Sequence, residues 1–196
     1  MKTSQIPHTA VLTWHPETYS EAIDGIKARL CWADDGGLAI AYVLTGDLTR
    51  LRIPLPRKPR HADRLWEHTC FEAFVGVVGK SEYCEFNLAP SGEWAVYAFR
   101  GYRESVPLVG KERAPEITMR SDENSLELDA IVRLDHLPLI QPRASLKLAL
   151  SAVIEENSGM LSYWALRHPA GKPDFHHPDS FTLELEPADL EGGIVS

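Results

Sequence analysis

The sequence predicts an all-β fold, an antiparallel β-sandwich of about ten strands, jelly-roll-like, with at most one short helix. Three observations lead to it. Short apolar runs recur at intervals of roughly 8–12 residues. Turn-forming Gly, Pro, Asn and Asp separate them. No strand–helix–strand alternation is present, which disfavours a parallel α/β fold.

Taken in order, residues 19–30 (YSEAIDGIKARL) carry the only helical spacing, with Ala22, Ile23, Ile26 and Leu30 on one side. Gly25 weakens a helix there, so a strand with core residues in pairs is the alternative. Residues 37–45 (GLAIAYVLT) read as a strand ended by Gly46-Asp47. Residues 70–78, 83–88 and 94–99 follow at short intervals, with Pro90-Ser91-Gly92 as a turn, and predict an antiparallel meander. Further strands are expected at 116–119, 126–132, 146–154, 162–166 and 181–185. Segments 126–132 and 181–185 alternate apolar and polar residues, as a strand with one wet face does. Segment 146–154 (LKLALSAVI) is apolar at most positions and is expected at the sheet centre. One domain is expected over residues 1–186, and the acidic residues 187–196 read as a loose tail.

Composition narrows the function. The 196 residues are 44% hydrophobic and 24% charged, which is enough for a core without disulfides or metals. The net charge of −8 argues against nucleic acid and against an anionic membrane surface as partners. Arg57, Lys58, Arg60 and Arg64 form the one basic cluster, read as a solvated loop. Cys31, Cys70 and Cys84 lack CxxC spacing, and Cys70 and Cys84 are expected as buried thiols. The string MKTSQIPHTAVLTWHPET lacks the apolar core of a secretion signal, so a cytoplasmic location is expected. Oligomeric state leaves no mark in the sequence.

Catalytic motifs fail. Gly110-Lys111 and Gly171-Lys172 lack the rest of a P-loop, and neither GxSxG nor HExxH occurs. Ser91 serves a turn. His168, His176 and His177 cluster in HPAGKPDFHHPDSF, but adjacent histidines in an extended chain diverge and match no zinc spacing. No catalytic and no metal site is assigned.

One constellation survives. In CFEAF, Cys70, Glu72 and Phe74 share a strand face, and in YCEFNL, Glu85 and Asn87 share one. A carboxylate in an apolar strand needs a partner or a wet concavity. Glu72, Glu85 and Asn87 are therefore expected to line one sheet face, near Trp66, Trp94 and Trp164. Aromatic rings beside carboxyl and amide groups suit a sugar, stacking on its CH faces and hydrogen-bonding its hydroxyls. The alternative is that the tryptophans are core and Glu72 has a buried partner.

The strings LWEHTCFEAFV, YCEFNLAPSGEWAVYAFRGYR and SYWALRHPAGKPDFHHPDSFTLEL resemble the DOMON-like domains related to carbohydrate-binding module family 9. The resemblance spans residues 38–185 and is most specific in WEHTCFE, EFNLAPSGEWA and KPDFHH. It implies a β-sandwich binding sugars or haem in a pocket on one sheet. Sugar-binding relatives imply a tryptophan sandwich matched by Trp66 and Trp164, with Glu72 as the acidic residue. Haem-binding relatives imply Met paired with His or Lys, for which only Met119 or Met160 with His68 or His168 stand ready. The leading expectation is a non-catalytic module for a small polar ligand, a carbohydrate or sugar derivative, contacting Trp66, His68, Glu72, Glu85, Asn87, Trp94, Trp164, His168 and His176. The alternatives are a haem b electron-transfer domain and an acid–base enzyme using Glu72, Glu85 and the histidines.

Overall fold

A computed structural model of the protein describes residues 7–108, 113–137, 139–140 and 144–187. The expected tail beyond residue 187 lies outside them, as does Gly110-Lys111.

Thirteen strands make up the described fold. They are β1 (His8–Trp14), β2 (Ile23–Trp32), β3 (Leu38–Gly46), β4 (Arg60–His61), β5 (Cys70–Val77), β6 (Tyr83–Leu88), β7 (Glu93–Phe99), β8 (Ser105–Val106), β9 (Glu116–Ser121), β10 (Ser125–Val132), β11 (Leu146–Glu155), β12 (Leu161–Ala165) and β13 (Leu183–Leu185). The helical residues among those described are three short 3₁₀ turns, Leu48–Arg50, Leu65–Glu67 and Pro178–Ser180. None is long and apolar enough to cross a membrane.

The expectation of a purely antiparallel sandwich is corrected. The strands join in one mixed sheet, in the order β4-β7-β6-β5-β11-β12-β1-β2-β3-β10-β9, curled into a half-barrel. The β4–β7 pair is parallel. Strand β1 is the reason the sheet is continuous. Its first five residues pair with β2, and Thr13 and Trp14 pair with β12. The strand thus belongs to both halves, and the sheet bends there instead of breaking.

The helical spacing at residues 19–30 is also corrected, since Ile23–Trp32 is a strand. The register slips between Ile23 and Gly25, a β-bulge that places two residues opposite one. It turns both Ile23 and Ile26 inward, three positions apart, and so imitates a helix face. Beyond it Ile26, Ala28 and Leu30 alternate inward with period two.

The two halves of the curled sheet enclose the main core. Leu30, Leu44, Leu128 and Val132 from one half meet Phe71, Phe86, Leu148 and Leu150 from the other. Tyr42 of β3 packs its ring 5.0 Å from Phe71, and its hydroxyl donates to the Glu72 carbonyl at 2.6 Å. Such a buried ring contributes about 1.5–3 kcal/mol through burial, and the bond satisfies its hydroxyl.

All residues of β5 and β6 are buried, although one face of each points away from this core. The chain from His168 to Phe181 covers that outer face. Phe175 and Phe181 pack there on Phe74, Tyr83, Phe99 and Ala149, forming a second, smaller apolar cluster. Between this cover and the sheet the site opens.

Candidate ligand-binding pocket

Strand register builds the floor. Glu72 of β5 lies opposite Asn87 of β6 and Ser151 of β11. One row along, Glu85 of β6 lies opposite Phe74 and Tyr97. On the β12 side, Val153 lies opposite Tyr163. Because side chains alternate between faces, these residues share the outer face of the sheet.

A cavity of about 370 Å³ stands on this floor, lined among others by Glu72, Glu85, Tyr97, Arg103, Tyr163 and His176. Trp66 forms a wall, its ring edge-on to Tyr97 at 5.6 Å. Tyr163 and Phe175, 6.1 Å apart, flank the β12 side.

The structure brings Trp66, Glu72, Glu85 and His176 together in the cavity. Asn87 lies beneath, fully buried, and donates from Nδ2 to Glu85 Oε1 at 2.6 Å. The other expected residues lie elsewhere. Trp164 is 1% exposed on the core face, with Nε1 donating to Ser162 Oγ at 3.1 Å. The tryptophan sandwich of Trp66 and Trp164 is therefore not assembled, and Tyr163, one residue away, occupies the pocket side. Trp94 also sits in the core, edge-on to His61. His68 faces outward and pairs with Glu155 Oε2 at 2.8 Å. His168 binds the Thr13 carbonyl at 2.8 Å and meets His15 edge-on.

Arg103, Tyr97, Tyr163, Phe99 and Phe175 were missed by the sequence reading. The two tyrosines carried a signal: each adjoins or alternates with core residues in its strand, and Tyr keeps a polar end for a wet face. Arg103 and Phe175 sit in loops, where no periodicity marks them.

Burial governs the electrostatics. The Glu72 carboxyl, 3% exposed, has one hydroxyl partner among the described residues, Ser151 Oγ at 3.4 Å. Burial, reinforced by the charge of Glu85, pushes its pKa well above the ordinary carboxylate value, against Ser151 and Arg103. Burial also raises Glu85, to about 7, with Asn87 and Arg103 opposing. His176 accepts or donates at Nδ1 to the Tyr83 hydroxyl at 2.9 Å, and its Nε2 lies 3.6 Å from Glu85 Oε2. Burial first, then the positive charge of Arg103, lowers it to about 4, so it is neutral at pH 7. Arg103 is held by Asp174 at 2.8 Å, which also accepts from the Tyr102 hydroxyl.

The floor thus pairs a Glu72 whose burial favours the protonated carboxyl with a Glu85 that titrates at about 7. It both donates and accepts hydrogen bonds inside aromatic walls. Among the described residues, no group of three or more His, Cys, Asp or Glu is arranged to hold a metal ion. Neither Met119, packed against the main core, nor the exposed Met160 lines the cavity.

No family model and no curated protein matches the chain. Solved structures do. A protein from Bacteroides uniformis, assigned provisionally to carbohydrate binding, superposes with a TM-score of 0.65 at 15% identity, over 89% of this chain and 84% of that one. A carbohydrate-binding module of family 9 from Caldicellulosiruptor kristjanssonii, in complex with cellotriose, superposes with a TM-score of 0.56 at 10% identity, over 97% of this chain and 87% of that one. The chain shares the fold of these proteins.

Proposed function

We propose that the protein is a sugar-binding module of the DOMON-like kind, and that its site is the cavity over Glu72 and Glu85. One observation carries the reading: two buried carboxyl groups, one of them held from beneath by the Asn87 amide, form the floor of a concavity walled by Trp66, Tyr97, Tyr163 and Phe175. Rings present flat apolar surface to sugar CH groups, while carboxyl groups fix hydroxyl positions. The cavity volume falls at the lower end of small-ligand sites, roughly 300–1,000 Å³, and suits one or two sugar rings better than an extended polymer. The fold shared with a family 9 module in complex with cellotriose supports the same reading. The haem alternative draws no support from the positions of Met119 and Met160.

The test is titration with mono- and disaccharides, followed by calorimetry and by tryptophan fluorescence, since Trp66 is 39% exposed at the cavity. Binding should quench or shift the emission. The change Trp66→Ala should weaken binding by at least about tenfold, or ~1.4 kcal/mol, with little effect on stability. Binding that survives Trp66→Ala unchanged, or the absence of any saturable sugar, overturns the reading.

A second reading has its own observation. Glu72 and Glu85 are two carboxyls in one pocket whose proton affinities are both raised by burial, as groups in acid–base work are. Conversion of a bound sugar, followed by NMR and abolished by Glu85→Gln, would favour it.

A further inference from the structure

The floor carboxyl groups lack something that buried carboxyls ordinarily have. Charged side chains buried in proteins are paired. Elsewhere among the described residues, buried Glu155 meets both Arg52 and His68, half-buried Asp174 meets Arg103, and buried Glu156 accepts from the Ser20 hydroxyl at 2.6 Å. Among the described residues Glu72 meets only the Ser151 hydroxyl, and Glu85 meets Asn87 and the neutral His176. Among the described residues, no Lys or Arg lies within ion-pair distance of either carboxyl. The cation nearest in effect, Arg103, is engaged by Asp174.

The surroundings are also those of a cation site. Trp66, Tyr97, Phe99, Tyr163 and Phe175 turn toward the same cavity. Aromatic faces attract ammonium groups, most strongly where water is excluded. Carboxyls at the floor and rings on the walls complement one positive charge.

The geometry points to a ligand that brings this missing cation: an amino sugar, whose protonated amine sits between Glu72 and Glu85 while its ring lies against the aromatic walls. The inference rests on the sugar-binding reading and narrows its substrate class. An acylated or unsubstituted sugar would leave the carboxyl pair without its partner.

Binding of an ammonium group requires an ionised carboxylate. Affinity should therefore rise as pH increases toward about 7, where Glu85 ionises, and fall again as the ligand's own amine loses its proton, near the roughly 8 of an ordinary α-amino group. Other groups facing the pair titrate outside that window or are fixed. His176 is neutral above about 4, Arg103 stays charged, and burial raises the hydroxyls of Tyr83, Tyr97 and Tyr163 and the thiol of Cys70. Asp174, lowered by Tyr102 and Arg103 against burial, stays ionised.

The experiment is calorimetric titration of the full chain with glucosamine, N-acetylglucosamine, glucose and choline. It is run near neutral pH in two buffers of different ionisation enthalpy. Glucosamine should bind at least about tenfold more tightly than glucose or N-acetylglucosamine. Its binding should release protons, seen as a buffer-dependent enthalpy. Glu85→Gln, nearly isosteric, should reduce the preference to within about threefold. Equal binding of glucose and glucosamine, with no proton release, overturns the amine inference and leaves the sugar reading standing. Choline binding as tightly as glucosamine overturns the sugar reading and keeps the cation site. No heat from any of the four at about 10 mM overturns both.

Discussion

The sharpest consequence of the pocket is that it destabilises the fold as pH rises, and Glu85→Gln should remove the part of that effect that Glu85 contributes. In the unfolded chain Glu85 loses its proton near the ordinary value of 4.5, whereas in the folded chain burial holds it until about 7. Between these values the native state binds more protons than the unfolded one, so stability falls with rising pH and levels off above about 7. The shift, at roughly 1.4 kcal/mol per pH unit, amounts to about 3 kcal/mol. Glu72 is raised as well and adds to the cost in the same direction. Gln at position 85 keeps the acceptor for Asn87 Nδ2 and cannot ionise. Urea denaturation at about pH 4.5 and about pH 8.5 reads the effect. The variant should match the wild type to within about 1 kcal/mol at the lower pH and exceed it by about 3 kcal/mol at the higher. In thermal melts that gain is about 6–12 °C for a domain of this size. A variant that keeps the full wild-type loss of stability between the two pH values would refute a buried, titrating Glu85.

Trp164→Ala and Tyr163→Ala should behave oppositely despite their adjacency. The first opens a core cavity and should cost about 3–5 kcal/mol in urea denaturation; the second should weaken ligand binding while costing less stability, and equal effects would contradict the assigned faces. Gly46→Ala should cost about 2–4 kcal/mol. A Cβ there would meet the Ala22 carbonyl oxygen at 2.2 Å, at a φ of +153°. Gly79, at a φ of +79° in the left-handed region, has open space around it, so Gly79→Ala should cost only about 1 kcal/mol by the same measurement.

The meander β5–β6–β7 was legible because short turns and period-two alternation fix both pairing and face. That alternation is why Glu72, Glu85 and Asn87 could be placed together before any coordinates. It does not say which face is the core. In SYWAL the larger, more apolar Trp164 takes the core and Tyr163 the pocket, and sequence alone leaves that choice open. Strand β1 was illegible for another reason. It serves two neighbours over seven residues and buries only Leu12 fully, so it has no continuous apolar face to read. The bulge in β2 hid a strand behind a helix-like spacing. The third wall of the pocket, from Arg103 and the 168–181 segment, comes from loops whose placement depends on the sheet they cover.

The position of the carboxyl pair bears on binding as against mere structure. A buried, under-partnered Glu85 costs the fold about 3 kcal/mol at neutral pH and above, a sizeable share of the roughly 5–15 kcal/mol by which a domain is stable. A leucine at either position would continue the apolar strand without that cost. The surrounding structure nonetheless holds both groups firmly: Asn87 fixes the Glu85 carboxyl, Tyr42 fixes the Glu72 backbone, and the ladder clamps each strand on both sides. Groups that are destabilising yet rigidly oriented toward a cavity are what a preorganised binding site requires. Glu155 has a cation within reach in Arg52, and Glu156 a close hydroxyl in Ser20 at 2.6 Å, whereas the hydroxyl nearest the Glu72 carboxyl is 3.4 Å away. On the proposed reading, the partner of the carboxyl pair comes from outside the chain, as the bound ligand.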